Sequence, residues 1–104
     1  MACNTNIVQY ITDQCSAAGD ISTRKMFGDY GLYCNSLIVG LICDNRLYLK
    51  PTDAARPLLR SVDMRPPYEG AKEYFYIDDI DDHDYLAKLV ATTYHALSAA
   101  KKKK

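Results

Sequence analysis

The densest cluster of chemistry-bearing residues is Asp78, Asp79, Asp81, Asp82 and Asp84 with His83, which has the composition of a hard-cation site. The spacing lacks the glycine and the closing glutamate of a calcium loop, and an apolar helical run follows it. The acids are therefore expected to serve the positive end of a helix. His83 and His95 stand on that same helix with no serine or cysteine motif beside either, so neither a catalytic triad nor a histidine metal site is read there. Gly28-Asp29-Tyr30-Gly31 has the outline of the GxxG clamp of RNA-binding KH domains. That clamp lies between helices and favours basic central residues, whereas this one lies between strands and carries Asp29, so a hairpin turn is expected. No catalytic residue, metal ligand or cofactor site is predicted.

A second set of residues is distributed over several strands. Side chains alternate across a strand, so Arg46, Tyr48 and Lys50 share one face, Tyr74 and Tyr76 share a face of a later strand, and Arg24 and Met26 share a face of the first. If Leu47, Leu49, Phe75 and Ile77 face the helices, the opposite face shows tyrosines among basic side chains. Such a face is an ordinary amphipathic exterior, a protein interface, or a platform for single-stranded nucleic acid. Charge sets the order of the last two. Four of the thirteen basic residues are Lys101 to Lys104, so residues 1–100 carry nine Lys and Arg against thirteen Asp and Glu, a net charge of −4. A generic nucleic-acid binder would be basic, so nucleic acid is the less favoured partner. The short lysine run suits the negative end of a helix or forms a solvated tail.

The elements that must position these residues are legible in the spacing. Apolar residues at Ile7, Val8, Ile11, Cys15 and Ala18 predict a helix over about 4–18, capped by Asn4 or Thr5 and closed by Gly19. Ile21 to Phe27, Gly31 to Cys34, Leu37 to Cys43 and Arg46 to Lys50 read as strands joined by the turn pairs Gly28-Asp29, Asn35-Ser36 and Asp44-Asn45. Connections this short force antiparallel neighbours. One of Gly28 and Gly31 is expected at positive φ. A single turn at Asp53 to Arg56 and a helix from Pro57 to about Val62 follow, then a proline-held loop over 63–70. Glu73 to Ile77 reads as a fifth strand. A long helix over about 81–100 carries Leu86, Leu89, Val90, Thr93, Tyr94 and Leu97 on one face. The fold class is α+β: a largely antiparallel five-stranded sheet in the order α-β-β-β-β-α-β-α, covered by helices, in one domain over 1–100 with a basic tail over 101–104.

Leu37 to Cys43 is apolar at both alternations, with Ile38, Gly40 and Ile42 on one side and Leu37, Val39 and Leu41 on the other. One of those sets needs a dry neighbour, and a second copy of the chain would supply it, so a homodimer through this strand is expected. Gly40 hints at a bulge or a close backbone approach.

Residues spread over 21–85 also resemble the amino-terminal domain of the bacterial competence regulator TfoX, or Sxy. They are Arg24, Met26-Phe27-Gly28, Tyr30-Gly31-Leu32-Tyr33, Gly40-Leu41-Ile42, Asp44 with Arg46 to Lys50, Thr52-Asp53-Ala54 with Arg56-Pro57, and Tyr74 to Ile77. The resemblance implies an α+β domain, often dimeric and without known catalysis. In two-domain members it belongs to a regulator that acts with a catabolite-responsive activator at competence promoters. This chain departs from the family pattern at Gly28-Asp29, where Gly-Gly is usual, and no helical carboxy-terminal domain is expected after Ala100. The expectation is a non-enzymatic regulatory or protein-interaction module, with a protein partner that extends to the transcription machinery; the alternatives are a single-stranded nucleic-acid-binding protein that uses the Tyr/Arg/Lys sheet face and an enzyme whose site no recognisable motif codes.

The amino end lacks the basic and apolar regions of a signal peptide, and no apolar run is long enough to span a bilayer, so a cytoplasmic protein is expected. Cys3, Cys15, Cys34 and Cys43 show neither zinc spacing nor a disulfide framework. All four are expected to be thiols, so titration of the denatured, unreduced protein should count four per chain. A lower count in protein shielded from air oxidation would reveal a disulfide.

Overall fold

In a computed structural model, residues 4–26 and 29–102 are described. The first helix, α1 (Thr5–Gln14), begins where Asn4 accepts a hydrogen bond from the Asn6 N–H at 2.8 Å. That bond satisfies one of the donors a helix start leaves open. The helix ends earlier than its apolar spacing predicts, and a separate 3-10 turn covers Ser16–Ala18. Gly19 follows at φ 151°, a backbone that an L side chain rarely adopts.

Four strands then form a meander: β1 (Ile21–Met26), β2 (Asp29–Cys34), β3 (Leu37–Cys43) and β4 (Arg46–Leu49). Asn35, Ser36, Asp44 and Asn45 all stand at positive φ, between 51° and 72°, as two-residue hairpin turns require. The second strand begins earlier than expected. Met26 pairs with Asp29, so Asp29 belongs to β2, while Phe27 and Gly28 lie outside the described residues. Gly31 is not at positive φ; it sits within β2 opposite Arg24 and Leu41.

The sheet has six strands in the order β1-β2-β3-β4-β6-β5, with every pairing antiparallel. The additional strand is β5 (Met64–Arg65), inside the segment the prolines mark as a loop. It pairs with β6 (Tyr74–Ile77) because Pro66 and Pro67 exclude strand only from their own positions, not from the residues before them. The helix expected over 57–62 is also absent. Only a 3-10 turn forms at Arg56–Leu58: Pro57 is tolerated in a first helical turn, but Leu59 takes an extended backbone, φ −70° and ψ 134°, which ends the helix there. The last helix, α2 (His83–Lys102), starts at Asp82, whose carboxylate accepts from the Tyr85 N–H at 3.1 Å.

Both helices contribute to one core on one face of the sheet. Val8, Ile11 and Cys15 meet Leu86, Leu89 and Val90 above Leu32, Cys34, Val39, Ile42, Leu47, Leu49, Phe75 and Ile77. Cys15 and Cys34 are free thiols, and both are buried, as is Cys43.

The strand β3 departs from simple alternation. Leu32 pairs with Gly40 but Tyr33 pairs with Ile38, so Val39 is an extra residue, a β-bulge. The bulge reverses the faces, so Val39 and Ile42 enter the core while Ile38, Leu41 and Cys43 do not. Ile38, Gly40 and Ile42 therefore do not form a shared exposed face, which corrects the dimer strand drawn from the sequence. Gly40 is the close approach: a Cβ there would lie 2.2 Å from the Tyr48 carbonyl oxygen. Gly40→Ala must push β3 from β4 and is expected to destabilise the protein by about 2 kcal/mol or more. The drop should appear as a lower urea midpoint with the slope unchanged.

Candidate functional site: the open face of the sheet

Since both helices lie on the core side, the other face of the sheet carries whatever the alternation leaves. From β1 come Ser22 and Arg24, from β2 Gly31 and Tyr33, from β3 Ile38, Leu41 and Cys43, and from β4 Arg46 and Tyr48. The strand β6 adds Tyr74 and Tyr76, and β5 adds Arg65. Arg24, Gly31, Leu41, Tyr48 and Tyr76 lie in one row across five strands. The side chain of Met26 lies outside the described residues, as do Phe27 and Gly28 of the same family motif. Tyr30 belongs to the other face, packed against the core.

This face is apolar and aromatic at its centre. Tyr48 is 4% exposed and Cys43 2% exposed, although both lie on the face away from the core to which the described helices contribute. Their cover is the neighbouring side chains: the Tyr48 and Tyr76 rings are 5.5 Å apart and tilted by 44°. Such tilted aromatic pairs add about 0.5–1.5 kcal/mol beyond their buried area. Arg65 lays its guanidinium 4.5 Å from the Tyr76 ring centre and is held by Asp63 at 3.0 Å. The hydrogen bond and the charge of Asp63 together raise the Arg65 pKa. On the opposite side of the face, Arg24 stands 5.3 Å over the Tyr33 ring. Burial, with smaller contributions from Tyr68 and Cys43, raises the Tyr74 hydroxyl above its ordinary value.

The sequence placed Arg46, Tyr48, Tyr74 and Tyr76 on this face, and the pairing register puts them there. It missed Ile38, Leu41, Cys43 and Arg65, because the bulge that turns β3 and the short strand β5 are not written in any two-residue alternation. The Met64-Arg65 pair, one apolar and one basic, was the only local sign of β5.

The acidic run has another role. Asp79 and Asp82 both pair with Arg60, whose guanidinium stacks 4.1 Å from the Tyr85 ring centre and whose N–H donates to the Tyr85 hydroxyl at 3.0 Å. The Tyr10 hydroxyl donates to Asp81, and Gln14 donates to the Ile80 carbonyl at 3.0 Å. The run thus ties α1 and the 56–60 segment to the start of α2. Among the described residues no group of three or more His, Cys, Asp or Glu side chains is placed to hold a metal ion. A depression of about 240 Å³, lined by Asn35, Ser36, Leu37, Tyr94 and Ser98, is smaller than the usual range for small-molecule sites. Among the described residues no helix is long and apolar enough to cross a membrane.

The sequence profile described as the TfoX N-terminal domain matches residues 13–97. A Spirochaeta aurantia protein, described as an uncharacterised 12.7 kDa protein in the trpE 5′ region, is 36% identical over 105 residues, spanning 100% of this chain and 91% of its own length.

The Asp82 pKa is lowered, first by the Arg60 hydrogen bond and then by the Tyr85 N–H. A carboxylate depressed in the folded state stabilises it above the unfolded pKa, about 3.9, and loses that contribution as pH falls through the folded value. Denaturant midpoints measured from pH 6 downward, a span chosen to bracket roughly that carboxylate range, should fall in the native protein. Asp82→Asn should start lower at pH 6 and fall less.

Proposed function

The chain belongs to the TfoX N-terminal domain family, and from that premise we propose that it is a non-enzymatic regulatory module that binds another protein through the open face of its sheet. The partner surface that fits has an apolar centre and an acidic rim, to match Leu41, Ile38 and the tyrosines within a border of Arg24, Arg46 and Arg65. The observation that carries the reading is the near-complete burial of Tyr48 on the face of the sheet opposite the core. A pre-packed aromatic and aliphatic patch with arginines at its border has the composition of a protein interface.

The same geometry weighs against a nucleic-acid platform. Bases need open ring faces on which to stack. Arg65 covers Tyr76, Arg24 stands over Tyr33, and Tyr48 is buried. The chemistry of the thiols weighs against catalysis: burial, and then the nearby Cys34, push the Cys15 pKa up to about 12, the opposite of what a nucleophile requires. The free thiols at Cys15 and Cys34 support a reducing, cytoplasmic setting.

The family's link to competence makes the transcription machinery the partner class, with a catabolite-responsive activator as the first protein to test. Calorimetric titration of the purified domain against that activator bound to promoter DNA should give a saturable heat. Leu41→Lys places a charge in the centre of the patch and should weaken binding by about tenfold or more. Absence of binding, or binding indifferent to Leu41→Lys and Tyr76→Ala, would overturn this assignment. Saturable binding of single-stranded oligonucleotides at low salt, lost in the same variants, would replace it with the nucleic-acid reading.

A further inference from the structure

The sheet ends in two edges, β5 and β1. The first is two residues long, whereas β1 is an extended run of six with no proline and no break in its register with β2. Hydrogen bonds at the start of β1 set its phase. The Asn35 N–H donates to the Asp20 carbonyl at 2.8 Å, and the Asp20 N–H donates to the Asn35 side chain at 2.9 Å. Both backbone groups of Asp20 therefore point toward β2. Direction alternates along an antiparallel pair, so Ser22 and Arg24 also turn theirs toward β2, while Ile21, Thr23 and Lys25 turn theirs to the free edge. Among the described residues no strand pairs with that edge, and α1 packs against β1 from the core side. The pairing also sets the faces. Ile21, Thr23 and Lys25 stand opposite Cys34, Leu32 and Tyr30 on the core side, and Ser22 and Arg24 stand opposite Tyr33 and Gly31 on the open face.

We infer that β1 is a docking edge for an extended acidic segment of a different protein, which joins the sheet as an additional antiparallel strand. The charges along the edge specify that partner. From Asp20 to Lys25 the residues run acid, aliphatic, two hydroxyls, then the bases Arg24 and Lys25. A strand laid antiparallel matches them when its amino end carries two acids, its middle β-branched residues, and its carboxy end a base opposite Asp20. The outward groups of Ile21, Thr23 and Lys25 then form hydrogen-bonded pairs with the segment. Arg24 falls in a non-hydrogen-bonded pair, where facing side chains are closest, so an acid there meets it directly. Arg24 stands 5.3 Å over the Tyr33 ring, a contact made by the guanidinium face that leaves its in-plane N–H donors for a carboxylate. Bases on an edge deter strands at random, and the same charges admit a strand of opposite sign. A second copy of this chain paired through Thr23 would set Ser22 and Ile21 against the two bases and supply an acid to neither. The edge is separate from the patch centred on Leu41, so the inference does not depend on the function proposed above.

The probe is the end-capped peptide Glu-Glu-Val-Thr-Val-Lys, titrated into the protein while amide shifts and amide hydrogen exchange are followed residue by residue by NMR. In the free protein the amides of Ser22 and Arg24 should exchange slowly and those of Ile21, Thr23 and Lys25 fast. Saturating peptide should slow the latter three. The charge-reversed peptide Lys-Lys-Val-Thr-Val-Glu should not bind. Arg24→Glu should weaken binding of the first peptide by roughly fivefold to tenfold, and a peptide with lysine at its second position, the one that faces residue 24, should recover it. Leu41→Lys, on the open face, should leave the affinity unchanged, which keeps failure here distinguishable from failure of the open-face reading. Unperturbed β1 amides, equal binding of the two peptides, or an Arg24→Glu loss that the matched peptide does not recover would each overturn the inference. Shifts confined to Leu41 and Tyr76 would move the peptide to the open face. Exchange at Ile21, Thr23 and Lys25 that slows with protein concentration alone would give the edge to a second copy, and either of these last two results overturns it as well.

Discussion

The approach of β3 to β4 at Gly40 is the constraint on which the remaining structure depends. A Cβ at that position would lie 2.2 Å from a β4 carbonyl oxygen, so only glycine lets the two strands close. Closure there accompanies the bulge at Val39, with the Lys50 N–H donating to the Val39 carbonyl at 2.9 Å. The bulge sends Val39 and Ile42 both into the core, although an unbroken strand would place residues three apart on opposite faces. Ile38 and Leu41 are left to the outside for the same reason. One backbone irregularity thus fills the core beneath the helices and makes the other face of the sheet apolar.

Polar contacts hold the helices over that core. The acidic run before α2 contains Asp82 as the cap, Asp79 as a second partner for Arg60, and Asp81 as the acceptor for Tyr10 of α1. These groups are exposed or half-exposed, and single ion pairs in such positions stabilise little. Their effect is geometric: they fix where α1 and the 56–60 segment meet the end of the sheet, so that Ala55, Leu58 and Leu59 pack against the core. An acidic cluster that looks like a cation site in the sequence is, in the fold, shared among an arginine, a tyrosine and a helix start.

The open face is pre-packed. Arg65 is held by Asp63 while it covers Tyr76, and Tyr76 in turn covers Tyr48. Side chains that are ordered before a partner arrives lose less entropy on binding, which suits an interface and not a surface that must adapt to many shapes. The arginines are already engaged with ring faces, so their charges lie flat along the border and do not project as a basic ridge.

The sequence by itself determined the elements whose cause is local. Helical spacing marked α1 and α2, the turn pairs Asn35-Ser36 and Asp44-Asn45 marked the meander, and alternation put Leu47, Leu49, Phe75 and Ile77 inward and Tyr48 and Tyr76 outward. The family, too, was legible in the order of residues from Arg24 to Ile77. Tertiary structure decided what depends on distant partners. The two-residue strand β5 exists because β6 offers it an edge, and no propensity within Met64-Arg65 requires it. The expected helix at 57–62 gives way to one 3-10 turn, since the backbone turns extended at Leu59 while Leu58 and Leu59 both pack against the core. The faces of β3 could not be assigned from its composition, because both alternations are apolar and a single inserted residue exchanges them. Only the neighbours, Leu32 and Tyr33 on one side and the Tyr48 carbonyl on the other, choose which residues are buried.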